Sequence, residues 1–159
     1  MDPLIAELKH QYHSTLAMYE SLLEGCSDEI WDQEYAGVLF WREAYHALFW
    51  LHTFLGFSDK TFHPWPFGKD IDPQLYTPPN NACERAEALP YGAPTKAYID
   101  EVLKVATLGA LNETDLFEDG EFRTVYHRLL YGLRHGQHHI GKLTAYLNLE
   151  GVRLHHWRG

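Results

Sequence analysis

Eleven histidines are spread over 159 residues, and two of them sit where one metal ion could bridge them. His135 and His139 are four apart in the run TVYHRLLYGLRHGQHHIGKLTAYL. On a helix, residues four apart share a face, one turn from each other. Two imidazoles at that spacing can hold one divalent ion together. His127 lies upstream in the same run, but at ~100° per residue it has turned ~120° away from His139. Gly132 and Gly136 fall close to the angular position of the pair. Each costs about 1 kcal/mol in a helix interior. They either leave open volume beside the imidazoles or let a neighbouring helix approach closely.

A helical pair supplies two ligands, and a site usually needs a third. His46 is the leading candidate. It lies midway along VLFWREAYHALFWLHTFLGF, a stretch that is apolar nearly all round. An unpaired imidazole is costly to bury there, so His46 is either hydrogen-bonded core or a ligand. Glu43, one turn before it, could orient a ring or handle protons. His138 either supports the pair or faces solvent. His10, His13, His52, His63, His155 and His156 read as structural or surface positions. Cys26 and Cys83 are far apart and show no metal spacing, so they read as ordinary thiols of a reducing, cytoplasmic setting.

Four helices must position these groups. The first runs from Asp2 to about Glu24. Asp2 before Pro3 is a helix start, and Gly25 is its end. Leu4, Ile5, Leu8, Tyr12, Thr15, Leu16, Tyr19, Leu22 and Leu23 form one apolar stripe. Ser27 followed by Asp28, Glu29 and Ile30 suggests a short helical turn. The second helix spans Gly37 to about Phe57 and is buried on most sides. Residues 58–94 hold seven of the eight prolines, too dense for regular helix. They also hold Phe62, Trp65, Phe67, Tyr76 and Tyr91, so the segment packs down as a cover or functional loop. A third helix runs from Thr95 to about Ala110, with Tyr98, Ile99, Val102, Leu103, Val105, Ala106 and Leu108 as its apolar positions. After a loop with Asp119-Gly120, the fourth spans about Phe122 to Asn148. No segment alternates like a strand. The pattern reads as an all-α, single-domain, up-down four-helix bundle over residues 1–159, with a long aromatic crossover between helices 2 and 3.

Composition narrows the function. Thirteen Lys and Arg stand against 22 Asp and Glu, a net charge of −9. That balance argues against nucleic acid, which needs a basic face. No stretch approaches the ~18 apolar residues of a membrane span, and no signal segment opens the chain. There is no glycine-rich phosphate loop after a strand and no serine-centred elbow.

Three stretches resemble the DinB/YfiT-like superfamily. LLYGLRHGQHHIGKL is similar to its last-helix motif, in which two His are separated by three residues. WREAYHALFWLHTFL resembles the second-helix segment that places one His in the core, and ALPYGAPTKAYIDEVL the entry into the third helix. The Trp157-Arg158 ending fits a subset of members. The resemblance implies a four-helix bundle with a long crossover, a homodimer, and a divalent metal, zinc or nickel, held by His46, His135 and His139. It implies metal-dependent hydrolysis, or thiol-dependent transfer, on a small molecule. Two positions depart from the pattern. Lys142 stands where the common Gln would follow the last His, and a cation there weakens metal binding unless it points away. Tyr131 stands where some members carry a further His.

On this reading Glu43 and Tyr131 handle protons or orient substrate. The aromatic loop around Trp65, Phe67 and Tyr76 walls the pocket. The alternatives are a non-catalytic metal-binding or interaction bundle, and a metal-free structural bundle.

Overall fold

The computed structural model describes residues 1–57, 67, 70–117 and 121–154. His63, Trp65, Asp119-Gly120, His155, His156 and Trp157-Arg158 lie outside the described residues. The described chain is all-α apart from one small hairpin. Four long helices carry it: α1 (Pro3–Gly25), α3 (Phe40–Thr53), α5 (Gly92–Val105) and α7 (Val125–Leu149). Three single-turn helices lie between them, α2 (Asp28–Trp31), α4 (Arg85–Ala88) and α6 (Leu108–Leu111). Helix α7 packs against α3 and α1, and α1 packs against α5.

The helix starts are built as their residues dictate. The Asp2 side chain accepts from the Leu4 N–H at 2.9 Å, with Pro3 following. Ser27 caps α2 by accepting from Ile30 N–H, and Thr124 caps α7 by accepting from His127 N–H. Each cap satisfies a backbone donor that the first helical turn leaves free. The predicted α1 stripe is buried except for Leu4, which is half exposed. Two of its tyrosines reach out of the helix. The Tyr12 hydroxyl donates to the Leu129 carbonyl of α7 at 2.8 Å, and that of Tyr19 to Ala44 of α3 at 2.9 Å. Both apolar bodies are thus buried with their polar tips satisfied.

Three expected boundaries are corrected. The second helix does not begin at Gly37. Glu34–Tyr35 and Val38–Leu39 pair antiparallel, so strand is present, as a minimal hairpin β1–β2. Ala36 (φ 51°) and Gly37 (φ 85°) form its turn. Two central residues with positive φ make the two-residue turn that matches strand twist, and four paired residues are too few to show alternation. The third helix starts earlier, at Gly92, and stops at Val105. Pro94 lies in its first turn, where the missing N–H costs no hydrogen bond. Thr107 then caps a separate turn, α6, which leaves Val105 and Leu108 exposed. The proline-rich segment also contains α4. Glu84 and Glu87 close a reciprocal capping box around its first turn.

Packing of the crossover is seen at Phe67, Ile71 and Leu75, all buried. Phe67 sits edge-on to Tyr45 (5.5 Å between ring centroids) and beside Tyr91 (4.5 Å). Tyr76 is 93% exposed.

Candidate metal centre

The site is made where α3 and α7 lie side by side. Helix α3 brings Glu43, His46 and Trp50 to one face at steps of three and four. Helix α7 brings Tyr131, His135, His139 and Lys142 by the same spacing. Glycines bring the helices of the core close together. A Cβ on Gly132 would stand 2.9 Å from the Tyr12 hydroxyl and 3.0 Å from Phe54 Cβ; one on Gly136 would stand 3.3 Å from Thr15. Of the two readings offered for these glycines, close helix approach is the one realised.

His46, His135 and His139 converge. One nitrogen from each ring lies within 4.8 Å of the other two. The His135 Nε2 is 3.1 Å from Nε2 of His46 and 3.1 Å from Nε2 of His139. The remaining ring nitrogens fix the tautomers. The His46 Nδ1–H donates to the Pro73 carbonyl at 2.7 Å. A carbonyl only accepts, so the neutral ring carries its proton on Nδ1 and a lone pair on Nε2. The His139 Nδ1–H donates to Glu43 Oε1 at 2.5 Å, which leaves its Nε2 in the same state when the ring is neutral. Two lone pairs therefore face the edge of a third imidazole. That third ring can donate one proton to one of them, and its own Nδ1 is buried with no hydrogen-bond partner among the described residues.

Such a cluster is short of protons, and a cation fits it. Imidazole nitrogens bind divalent zinc at about 2.0–2.1 Å. Right-angle and tetrahedral arrangements then separate neighbouring nitrogens by ~3.0 and ~3.4 Å, and the observed 3.1 Å spacing falls between them. Two of the rings are kept neutral by their surroundings. Burial pushes His46 down from 6.5 to about 4, against the pull of the Pro73 carbonyl. Burial, then the neighbouring His139 and His46, pushes His135 down to about 3. Three buried imidazoles positioned in this way can bind a metal ion; imidazole alone does not select which one.

Glu43 is fully buried, and it bonds the ring nitrogen of His139 that does not join the cluster. Its carboxylate sits behind the ligand as an orienting group. Lys142 does not point at the cluster. Its ammonium lies 2.6 Å from the same Glu43 Oε1, so its charge is spent on the carboxylate. Burial alone would raise the Glu43 carboxyl; the hydrogen bonds from His139 and Lys142 outweigh it and hold the group below its usual value. Glu43 Oε2 is buried with no hydrogen-bond partner among the described residues.

A cavity of about 250 Å³ opens over the imidazoles, lined by His46, Trp50, Phe54, Gln74, Glu121, Tyr131 and His135. Its aromatic walls differ from those expected. Phe67 is buried elsewhere, between Tyr45 and Tyr91, and Tyr76 faces solvent. Trp50, Phe54 and Tyr131 take that place. Phe54 meets Tyr131 edge-on at 5.2 Å, and Tyr131 stacks on His135 at 5.8 Å. Trp50 was within reach of sequence reasoning, because it lies four residues beyond His46. Gln74, Glu121 and the Pro73 carbonyl were not, since no local spacing links them to either helix.

The other described histidines are dispersed. His13 pairs with Asp100 at 2.8 Å, and His52 is buried against Tyr98. His10 is exposed, and His127 accepts from the Arg123 N–H. His138 is exposed and meets His139 edge-on at 5.0 Å. Cys26 and Cys83 are both buried.

Compared with models of known protein families this chain matches none, and a search of curated proteins finds no match.

Proposed function

We propose that this protein is a metal-dependent enzyme of the DinB/YfiT-like kind. It carries a zinc or nickel ion on His46, His135 and His139 and acts on a small molecule by hydrolysis or thiol-dependent transfer. What supports the reading most is the tautomer arrangement. Two imidazoles spend their Nδ1 protons on Pro73 and Glu43 and aim bare Nε2 atoms at a third. The contacts of α7 with α3 and α1, and of α1 with α5, support a four-helix bundle, with the segment between α3 and α5 as the crossover. On the same proposal the chain is a cytoplasmic homodimer. Among the described residues no helix is long and apolar enough to cross a membrane.

A bound divalent ion supplies a Lewis acid with coordination positions left open to substrate or water. The chain's own residues do the rest. Glu43 holds the His139 ring and its tautomer, with Lys142 balancing the carboxylate. Pro73 does the same for His46. Tyr131, in the cavity wall beside His135, orients substrate and offers a hydroxyl for proton transfer.

Elemental analysis of the protein purified without added metal tests the reading. About one equivalent of a first-row divalent ion is expected, and none in His139→Ala. Absence of metal from the unaltered protein, or unchanged stoichiometry in the variant, rejects it. Turnover by the loaded protein on ester, amide and thiol-acceptor panels then separates an enzyme from a metal-binding bundle without catalysis.

A further inference from the structure

The cavity over the imidazoles changes character from floor to rim. His46 and Phe54 are its buried lining residues, and His135, Trp50 and Tyr131 are half-buried. Gln74 and Glu121 are exposed and stand at the rim. Glu121 is the one carboxylate among the described residues of this lining, and no described lysine or arginine accompanies it there. Among the described residues Glu121 has no ion-pair or hydrogen-bond partner. Lys142 is bound to Glu43 behind His139. Arg134 lies 5.1 Å from the centre of the Tyr131 ring and is outside the lining.

We infer that the site selects small molecules that carry a lone-pair donor at one end and a cationic nitrogen at the other. The inference rests on the metal-centre reading and adds the substrate class. The donor end lies toward the three imidazoles. The cationic end lies along Trp50 and Tyr131, beneath Glu121. Aromatic faces attract cations through their quadrupole, and an unpaired carboxylate at the rim adds to that attraction while repelling an anionic tail. The chain's net charge of −9 acts in the same direction at long range. The cavity is at the small end of the range for ligand pockets, so it takes one compact molecule or the terminus of a longer one.

Three thiols of similar size differ in tail charge: 2-aminoethanethiol, propane-1-thiol and 3-mercaptopropionate, and each affinity is expressed per thiolate, from that thiol's own acidity. Binding is followed in cobalt(II)-loaded full-length protein by the thiolate-to-cobalt absorption band, at one pH and low salt. The ammonium thiol is expected to bind tightest and the carboxylate thiol weakest, each step about two- to fivefold, the size of an exposed ion pair or cation–π contact. In Glu121→Gln the ordering should flatten while the cobalt spectrum of the thiol-free protein stays the same. Trp50→Leu should weaken the ammonium thiol more than the neutral one. Equal affinities, or tightest binding of the carboxylate thiol, in protein with a histidine-type cobalt spectrum overturns the inference and leaves the metal centre standing. Failure of the protein to take up cobalt rejects the metal-centre reading itself.

Discussion

Glu43 takes the ring-orienting role of the two open to a carboxylate one turn from His46, but on the other helix: it reaches across to His139 and accepts from its Nδ1–H. Its effect on the cluster passes through that ring. Glu43→Gln should therefore lower metal affinity about 10–100-fold, the usual effect of losing a partner behind a metal-binding His. Competition with a chelating dye measures it, and unchanged affinity would remove Glu43 from the site. The metal-free protein also carries a pH signature. His46 and His135 stay neutral in the fold down to about 4 and about 3, whereas in the unfolded chain they protonate below about 6.5. Between those values the unfolded state binds more protons, so stability is full above about pH 6.5 and falls as pH drops. The urea midpoint of the metal-free protein should decline from pH 7 to pH 4.5. His46→Gln should flatten the decline.

At the scale of elements, α7 carries two kinds of glycine. Gly132 faces Tyr12 and Phe54 with no room for a methyl group, whereas a Cβ on Gly141 would meet nothing within 4 Å. Ala is the better helix former by about 1 kcal/mol. Gly141→Ala should therefore stabilise by up to about 1 kcal/mol. Gly132→Ala should destabilise by about 1–2 kcal/mol, because overpacking at a helix contact outweighs the propensity gain. Thermal melts of the two variants should move in opposite directions. Arg128 of α7 donates to the Phe54 carbonyl at 2.6 Å, just past the last turn of α3.

The whole molecule is held around the site by two buried arginines. Arg128 is paired with Asp115 at 2.8 Å, and both side chains are almost fully buried. Removing one partner leaves a charge stranded in the core, so Asp115→Leu should cost about 3–5 kcal/mol. Asp115→Leu combined with Arg128→Met should cost less than the single change, which chemical denaturation checks. Arg42 fastens the crossover by donating to the carbonyls of Thr77, at 2.6 Å, and Gln74. The neighbouring Pro73 carbonyl is the group that sets the His46 tautomer. Arg42→Met should speed hydrogen exchange across residues 70–77 and weaken metal binding, with α7 protection unchanged. If the crossover stays protected, Arg42 is not its anchor.

Local chemistry carried much of this in the sequence. Asp2-Pro3, Ser27 and the α1 stripe act within a turn or two, so they mark helix starts and faces without help from the rest of the chain. The step of four between His135 and His139 follows from helix periodicity alone, and the apolar run around His46 made burial of that ring legible. Distance in the chain hid the rest. The Ala36-Gly37 turn depends on strand pairing too short to show a pattern. The prolines after residue 58 obscured α4 and the true start of α5, because a proline is harmless in a first turn and harmful only further in. The walls of the cavity come from α3, α7, the crossover and the 121 region, which meet only after the helices pack. Which nitrogen of His46 is bare is likewise decided by a carbonyl 27 residues away, and a tautomer follows its hydrogen-bond partner, wherever the fold happens to put it.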